Sequence, residues 1–113
     1  MSGRIEMNRQ LVLEGETRSA DGTGGFTENW VELGRLWAEL RARTGREARG
    51  ATGPVSNAGF RITVRAAPYG APSRPVPGQR FRDGARIFRI EAVAERDTAH
   101  RYLTCFATEE VAL

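Results

Sequence analysis

The sequence predicts an all-β fold, a small antiparallel sandwich or barrel of five or six strands. Short runs with alternating apolar and polar residues recur along the 113 residues, and that period of two belongs to half-buried strands. Clusters of Gly and Pro separate the runs, and such clusters end regular structure and set up turns. A third signal is Asp83-Gly84 between two strand-like runs, the signature of a tight hairpin with positive φ in the turn.

In chain order, NRQLVLEGETR reads as a first strand, with Val12 flanked by Leu11 and Leu13, and SADGTGG as a flexible connection. The next stretch, FTENWVELGRLWAELRA, is claimed by two structures. Phe26, Trp30, Leu33, Trp37 and Leu40 are spaced four, three, four and three apart, as on an amphipathic helix. Gly34 would then sit in the middle of that helix, at a cost of about 1 kcal/mol relative to Ala. A glycine inside a strand instead often marks a bulge, where one extra residue shifts the alternation. With the extra residue at Gly34-Arg35, Val31, Leu33, Leu36, Ala38, Leu40 and Ala42 face inward. Trp30, Glu32, Trp37, Glu39 and Arg41 then share the outside, so a bent strand is expected over residues 26 to 42.

Residues 43 to 58 carry four glycines or prolines, three arginines and one acidic residue. Such a segment has too little apolar surface to order itself, and loops of this length tend to be functional or mobile. GFRITVRAA is the clearest strand, with Phe60, Ile62, Val64 and Ala66 inside and Arg61, Thr63 and Arg65 outside. PYGAPSRPVPG holds four of the five prolines and is expected as a surface crossing. Beyond it, residues 79 to 109 form a meander. Phe88, Ile90, Ala92 and Ala94 are expected on one face of its middle strand. In its last strand Tyr102, Thr104, Phe106 and Thr108 lie opposite Leu103, Cys105 and Ala107. Phe60, Phe88 and Phe106 are all expected in the core.

At 40% hydrophobic and 27% charged, with a mean hydropathy of -0.46, the composition fits one compact soluble domain spanning residues 1–113. No run has the length of a membrane span, and MSGRIEMNRQ lacks the apolar stretch of a secretory signal, so a cytoplasmic product is expected. All 17 basic side chains are Arg, giving a net charge of +3 and a pI near 10.0. Arginine codons in a GC-rich genome account for such usage. Arg also offers a permanent planar fork to carboxylates and phosphates, which suits polar interfaces and nucleic-acid backbones.

Catalysis finds little support. The single Cys105, in the apolar run TCFA, excludes an intrachain disulfide and a cysteine-based zinc site, and is expected as a packing residue. The single His100 sits in the turn-like RDTAH and pairs with Cys105 only if the fold joins them. Glu28, Glu32, Glu39, Glu109 and Glu110 have no partner base, phosphate-cradling glycine pattern or metal-ligand spacing. No catalytic residue, cofactor or metal is expected.

The order of motifs resembles the head-tail joining proteins of tailed bacteriophages, also called head-closure or stopper proteins, which occur as well in phage-like gene transfer agents. The matching residues are Trp30, Trp37-Ala38-Glu39, Gly45-Arg46-Glu47, Arg61-Ile62-Thr63-Val64-Arg65, Pro77-Gly78, Arg80-Phe81, Gly84, and Phe88 with Ile90. The resemblance implies a small antiparallel β-barrel of about six strands with a long loop between strands 2 and 3. It also implies a structural homo-oligomeric ring, with six members the expected number, between the portal-bound adaptor and the tail terminator or tail tube. Such a ring retains packaged double-stranded DNA without reading its sequence, first in the bacterial cytoplasm during assembly and then in the particle. Carried over, the loop supplies Arg43, Arg46 and Arg49 as DNA-facing charges. Trp30, Trp37, Glu39 and Arg41 are the expected subunit or partner interface, since aromatic residues and Arg are enriched there. The alternative is a small-barrel nucleic-acid-binding module, which needs exposed aromatics on a basic face.

Overall fold

The structure, a computed structural model, describes residues 4–43 and 59–110. Six strands form: β1 (Arg9–Ala20), β2 (Phe26–Ala42), β3 (Gly59–Arg65), β4 (Arg80–Asp83), β5 (Arg86–Glu95) and β6 (Tyr102–Glu110). Every pairing is antiparallel, and the order β1-β2-β3-β6-β5-β4 closes when β4 returns to β1. Closure removes the sheet edges that would otherwise invite association.

Alternation fixes what lies inside. Leu11 and Leu13 of β1, Ala38 of β2, Ile62 and Val64 of β3, Phe81, Phe88 and Ile90 of the β4–β5 hairpin, and Leu103, Cys105 and Ala107 of β6 make one buried cluster. Phe60 packs against it, its ring edge-on to Phe88 at 5.2 Å between centroids. A barrel this small is filled by its own side chains and has no lumen. Each fully buried Phe or Leu contributes about 1.5–3 kcal/mol through the hydrophobic effect.

β2 is one bent strand, not a helix. Its bulge falls one residue earlier than expected: Leu13 pairs with Gly34 and Glu14 with Glu32, leaving Leu33 as the extra residue. Leu33 fits there because Gly15 lies under it; a Cβ at Gly15 would stand 2.8 Å from Leu33 Cδ1. The two sides of the strand are those expected, because the bulge lies between Val31 and Leu36 at either position; Leu33, Leu36, Ala38 and Leu40 reach the core, but Val31, on the arm, and Ala42, at the strand's end, are exposed.

β5 departs from the expectation. Ile90 pairs with Ala107 but Ala92 with Phe106, so Glu91 is a second bulge. Past it, Ala92 and Ala94 turn outward and Val93 takes the inner side, packed on the core. Phe106, opposite the buried Leu103, Cys105 and Ala107 of its own strand and paired with Arg61, lies on the outside of β6 and is half-buried there, not in the core.

The connections are specific. In 21–25 the Asp21 carboxylate accepts from the Thr23 and Gly25 amides and the Thr23 hydroxyl at 2.8–3.0 Å, so this turn is held and not loose. The proline-rich crossing from β3 to β4 lies over one end of the barrel, with Pro75 fully buried and Ser73 against Gly34. The β4–β5 hairpin forms as expected, but its two turn residues are Gly84-Ala85, since Asp83 still pairs with Arg86. Gly84 has φ 63° and Ala85 no positive φ, so the glycine holds the first turn position, as type II′ requires.

β1 and β2 outrun their neighbours. β4 pairs with β1 only at Val12–Glu14, and β3 with β2 only at Ala38–Ala42. Residues 15–20 and 26–31 therefore form a two-stranded arm, about 20 Å long at the strand rise per residue.

Candidate functional site

Two outer surfaces stand out, the arm and the barrel wall. On the arm, pairing sets Phe26, Glu28, Trp30 and Glu32 of β2 beside Ala20, Arg18, Glu16 and Glu14 of β1. Phe26 is 66% exposed and Trp30 half-buried. Arg80 lies over the Trp30 ring at 4.1 Å. A hairpin with no third strand is only marginally stable in water, so this length of arm depends on how its base is held.

That base is a buried charge cluster which sequence reading missed. Glu14 accepts from Arg80 Nε at 2.7 Å and from Arg82 Nε at 2.8 Å, and is itself 5% exposed. Burial alone would raise its carboxyl, but the hydrogen bonds from Arg82 and Arg80 outweigh it and hold the pKa below the usual range. The only signal in sequence was that Glu14, Arg80 and Arg82 take outward positions in their strands, which does not reveal that β1 and β4 are neighbours.

The structure places Trp30 and Trp37 on the same outer side of β2, as expected, with about 20 Å of strand between them. Trp37 is 57% exposed and borders a shallow recess with Arg35, Arg65 and Ser73. Glu39 is on the same side but nearly covered: the Glu6 amide donates to its Oε2 at 2.9 Å, and Arg41 Nε is 3.2 Å from its Oε1. Burial would raise the Glu39 carboxyl; the Glu6 amide and Arg41 bring it down below the ordinary value. Arg41 is exposed. Of the four expected interface residues, Trp37 and Arg41 are exposed, Trp30 is half-buried with Arg80 over one face, and Glu39 is covered.

Arg43 ends β2 and folds onto the wall. Its amide donates to the Gly59 carbonyl at 2.9 Å. The guanidinium reaches the Ala107 carbonyl at 3.4 Å, lies 5.9 Å from the Phe106 ring centroid and is 3.9 Å from a Glu91 carboxylate oxygen. Its side chain is 12% exposed. Arg46 and Arg49 lie outside the described residues. Beside Arg43, the wall of β3, β6 and β5 forms a recess lined by Arg61, Arg96, Thr104 and Phe106. One row further, Arg65 pairs with Tyr102 and lies 5.8 Å from its ring, and the Arg96 amide donates to the Tyr102 carbonyl at 3.0 Å. Sequence reading assigned Phe106 to the core and so did not see this arginine–aromatic wall. The missing information was which face of β6 turns inward: Leu103, Cys105 and Ala107 fill the core, so Phe106 on the opposite face joins the wall beside Arg61.

The candidate catalytic carboxylates are engaged elsewhere. Glu109 takes a two-bond fork from Arg86 at 2.8 and 3.0 Å, Glu110 pairs with Arg89, Glu28 with Arg18 and Glu32 with Arg35. Cys105 is fully buried, and desolvation pushes its thiol up to about 12. His100 is outside, its Nδ1 2.8 Å from Glu95. Among the described residues no three His, Cys, Asp or Glu side chains group as metal ligands.

Comparison with known proteins agrees with this geometry. A chain of the virion of a native gene transfer agent particle is 54% identical, with 96% of this chain and 100% of that one aligned at a TM-score of 0.78. A protein of Shigella flexneri 2a with a known solution structure shares the fold at 18% identity, a TM-score of 0.72 and coverage of 99% and 100%. Among curated proteins none matches. Residues 3–110, nearly the whole chain, match the family described as phage head completion protein. The filled barrel, its bent second strand and its arginine-rich outer wall thus belong to a member of the phage head completion protein family, whose role is structural.

Proposed function

We propose that the chain is a head-closure component of a phage or phage-like particle, forming a ring between the portal-bound adaptor and the tail that retains packaged DNA and receives the tail. The observation that carries this is the 54% identity, over essentially the whole length, to a chain of a gene transfer agent virion. The barrel's physics sets how such a ring would work. The interior is packed with Phe81 and Phe88 and has no room for a duplex, so a conduit runs between subunits. Loop 43–58 then supplies charge to that conduit. Beyond Arg43 the loop has two arginines per subunit, about 12 in a ring of six, a focused field that attracts a phosphate backbone without reading bases. Arg43, held against the wall, anchors the loop's start, which leaves Arg46 and Arg49 as the charges assigned to the conduit.

The test is particle assembly without the chain. DNA-filled heads that leak and lack tails support the reading, and fully tailed, DNA-retaining particles overturn it. Replacing Arg43, Arg46 and Arg49 with Ser tests the loop separately: DNA retention and delivery fall if these charges act in the conduit, and normal delivery removes that role.

One observation favours a second reading, the nucleic-acid-binding module. Phe106 and Tyr102 lie on the outer wall beside Arg43 and Arg65, the pairing of aromatic and cation that single strands stack upon. Salt-sensitive binding of single-stranded oligonucleotides, abolished by Tyr102→Ala with Phe106→Ala, would support it over the ring.

A further inference from the structure

The arm and the wall carry opposite patterns. Residues 15–32 hold Glu16, Asp21, Glu28 and Glu32 against one arginine, Arg18. That segment's net of -3 leaves +6 for the rest of a chain whose total is +3. Its outer side adds two large apolar side chains, Phe26 and Trp30, to the carboxylates. The wall presents the complement in one row across four strands: Trp37 on β2, Arg65 on β3, Tyr102 on β6, and Arg96 just past β5. Arg65 and Arg96 are exposed, and neither forms an ion pair with a carboxylate among the described residues.

The arm also carries a like-charge pair that Arg18, 3.6 Å from Glu28, and the more distant Arg89 offset only in part. Glu16 and Glu28 sit diagonally across its two strands, and their hydrogen bond, with burial and mutual repulsion, raises the Glu16 carboxyl above its ordinary value. Like charges at such a cross-strand site are destabilising, and a cation from outside relieves them. The chain cannot provide that cation from its own wall row. Trp30 and Trp37 are on one continuous strand about 20 Å apart, so the arm points away from the row that would match it.

We infer that the outer side of the arm of one copy lies on the Trp37-Arg65-Tyr102-Arg96 row of a second copy, Glu28 and Glu32, still exposed in their weak surface pairs with Arg18 and Arg35, facing the two guanidiniums and Phe26 and Trp30 meeting Trp37 and Tyr102. The occupant is another copy because the acidic, aromatic surface that fits this wall is on the chain itself. A nucleic acid would use the arginines but would be repelled by the arm and leave Phe26 uncovered. Donor and acceptor surfaces differ, so the contact is head-to-tail and propagates until rotation closes a ring. The inference rests on the ring reading above and names the surfaces that build it.

The test uses particles made with a chain carrying both Glu28→Cys and Arg65→Cys, with Cys105 left in place. A ladder of covalent multimers under oxidising conditions, absent from either single variant, is the expected result. Monomers alone in particles that incorporate the variant overturn the contact while leaving head closure intact, and so does a ladder from Glu28→Cys alone. A charge exchange provides the second arm. Glu28→Arg with Glu32→Arg, and Arg65→Glu with Arg96→Glu, each lower incorporation at least tenfold, and the four changes together restore it. Unchanged incorporation with lost DNA binding in the wall variant assigns the wall to nucleic acid and overturns the inference. If the unaltered chain is absent from particles, the head-closure reading fails by itself. The ladder is then read on the purified chain at high concentration, where monomers alone overturn the contact.

Discussion

Glu14→Gln tests whether the charge cluster at the root of the arm holds the hairpin to the barrel. The amide keeps the shape and one acceptor but loses the charge that Arg80 and Arg82 share at 2.7 and 2.8 Å. Hydrogen bonds to a charged group contribute about 1.5–3 kcal/mol each. Arg80 and Arg82 keep side-chain exposures of 20% and 38%, so water replaces part of what is lost. The expected net cost is about 2–3 kcal/mol, or a fall in Tm of about 10 °C for a chain of this size. Its pH dependence follows from the sign of the shift. Glu14 has a folded pKa below its ordinary value. Its contribution is therefore complete above about pH 4.3 and is lost as pH falls through the folded value. Thermal unfolding of both proteins at pH 7 and pH 3 gives the measurement: the gap between them narrows in acid. Hydrogen exchange adds a local readout, with protection lost first in residues 15–20. A cost under about 0.5 kcal/mol at pH 7, or a gap of the same size at pH 3, refutes the reasoning.

Trp37→Ala removes a side chain that is 57% exposed, so stability changes by less than about 1 kcal/mol while tail attachment falls; an insoluble variant would place Trp37 in the core instead. The Cys105 thiol, fully buried and pushed up to about 12, reacts with a disulfide reagent at pH 8 only as fast as the barrel opens; immediate reaction of the native protein would refute its burial. Gly84→Ala, at φ 63°, costs about 1 kcal/mol in chemical denaturation, and no loss would mean that the turn relaxes to another type.

The bend in β2 was legible because a glycine marked it. Gly34 broke the alternation, and any bulge between Val31 and Leu36 gives the same two faces, so an error of one residue did no damage. The bulge in β5 was not legible. Glu91 is an ordinary strand residue between Ile90 and Ala92, and the small apolar side chains that follow, Ala92 and Ala94, suit either face of a sheet. Misjudging it reversed Ala92 and Ala94, which face outward where the core was expected.

Local chemistry in the sequence settled which segments are strands, where the turns fall, and that both indoles share one side, because alternation and turn residues act over a few neighbours. The sequence also held a chain-long order of motifs that the family match bears out. Only the tertiary structure decided which strands are adjacent, since closure of β4 onto β1 brings together residues 66 and 68 positions apart. That adjacency buries Glu14 between two arginines, leaves the arm beyond the last neighbouring strand, and aligns Trp37, Arg65, Tyr102 and Arg96 in a row. Charge and apolar surface are properties of residues, but a site is a property of their neighbours, and long-range pairing alone chooses those.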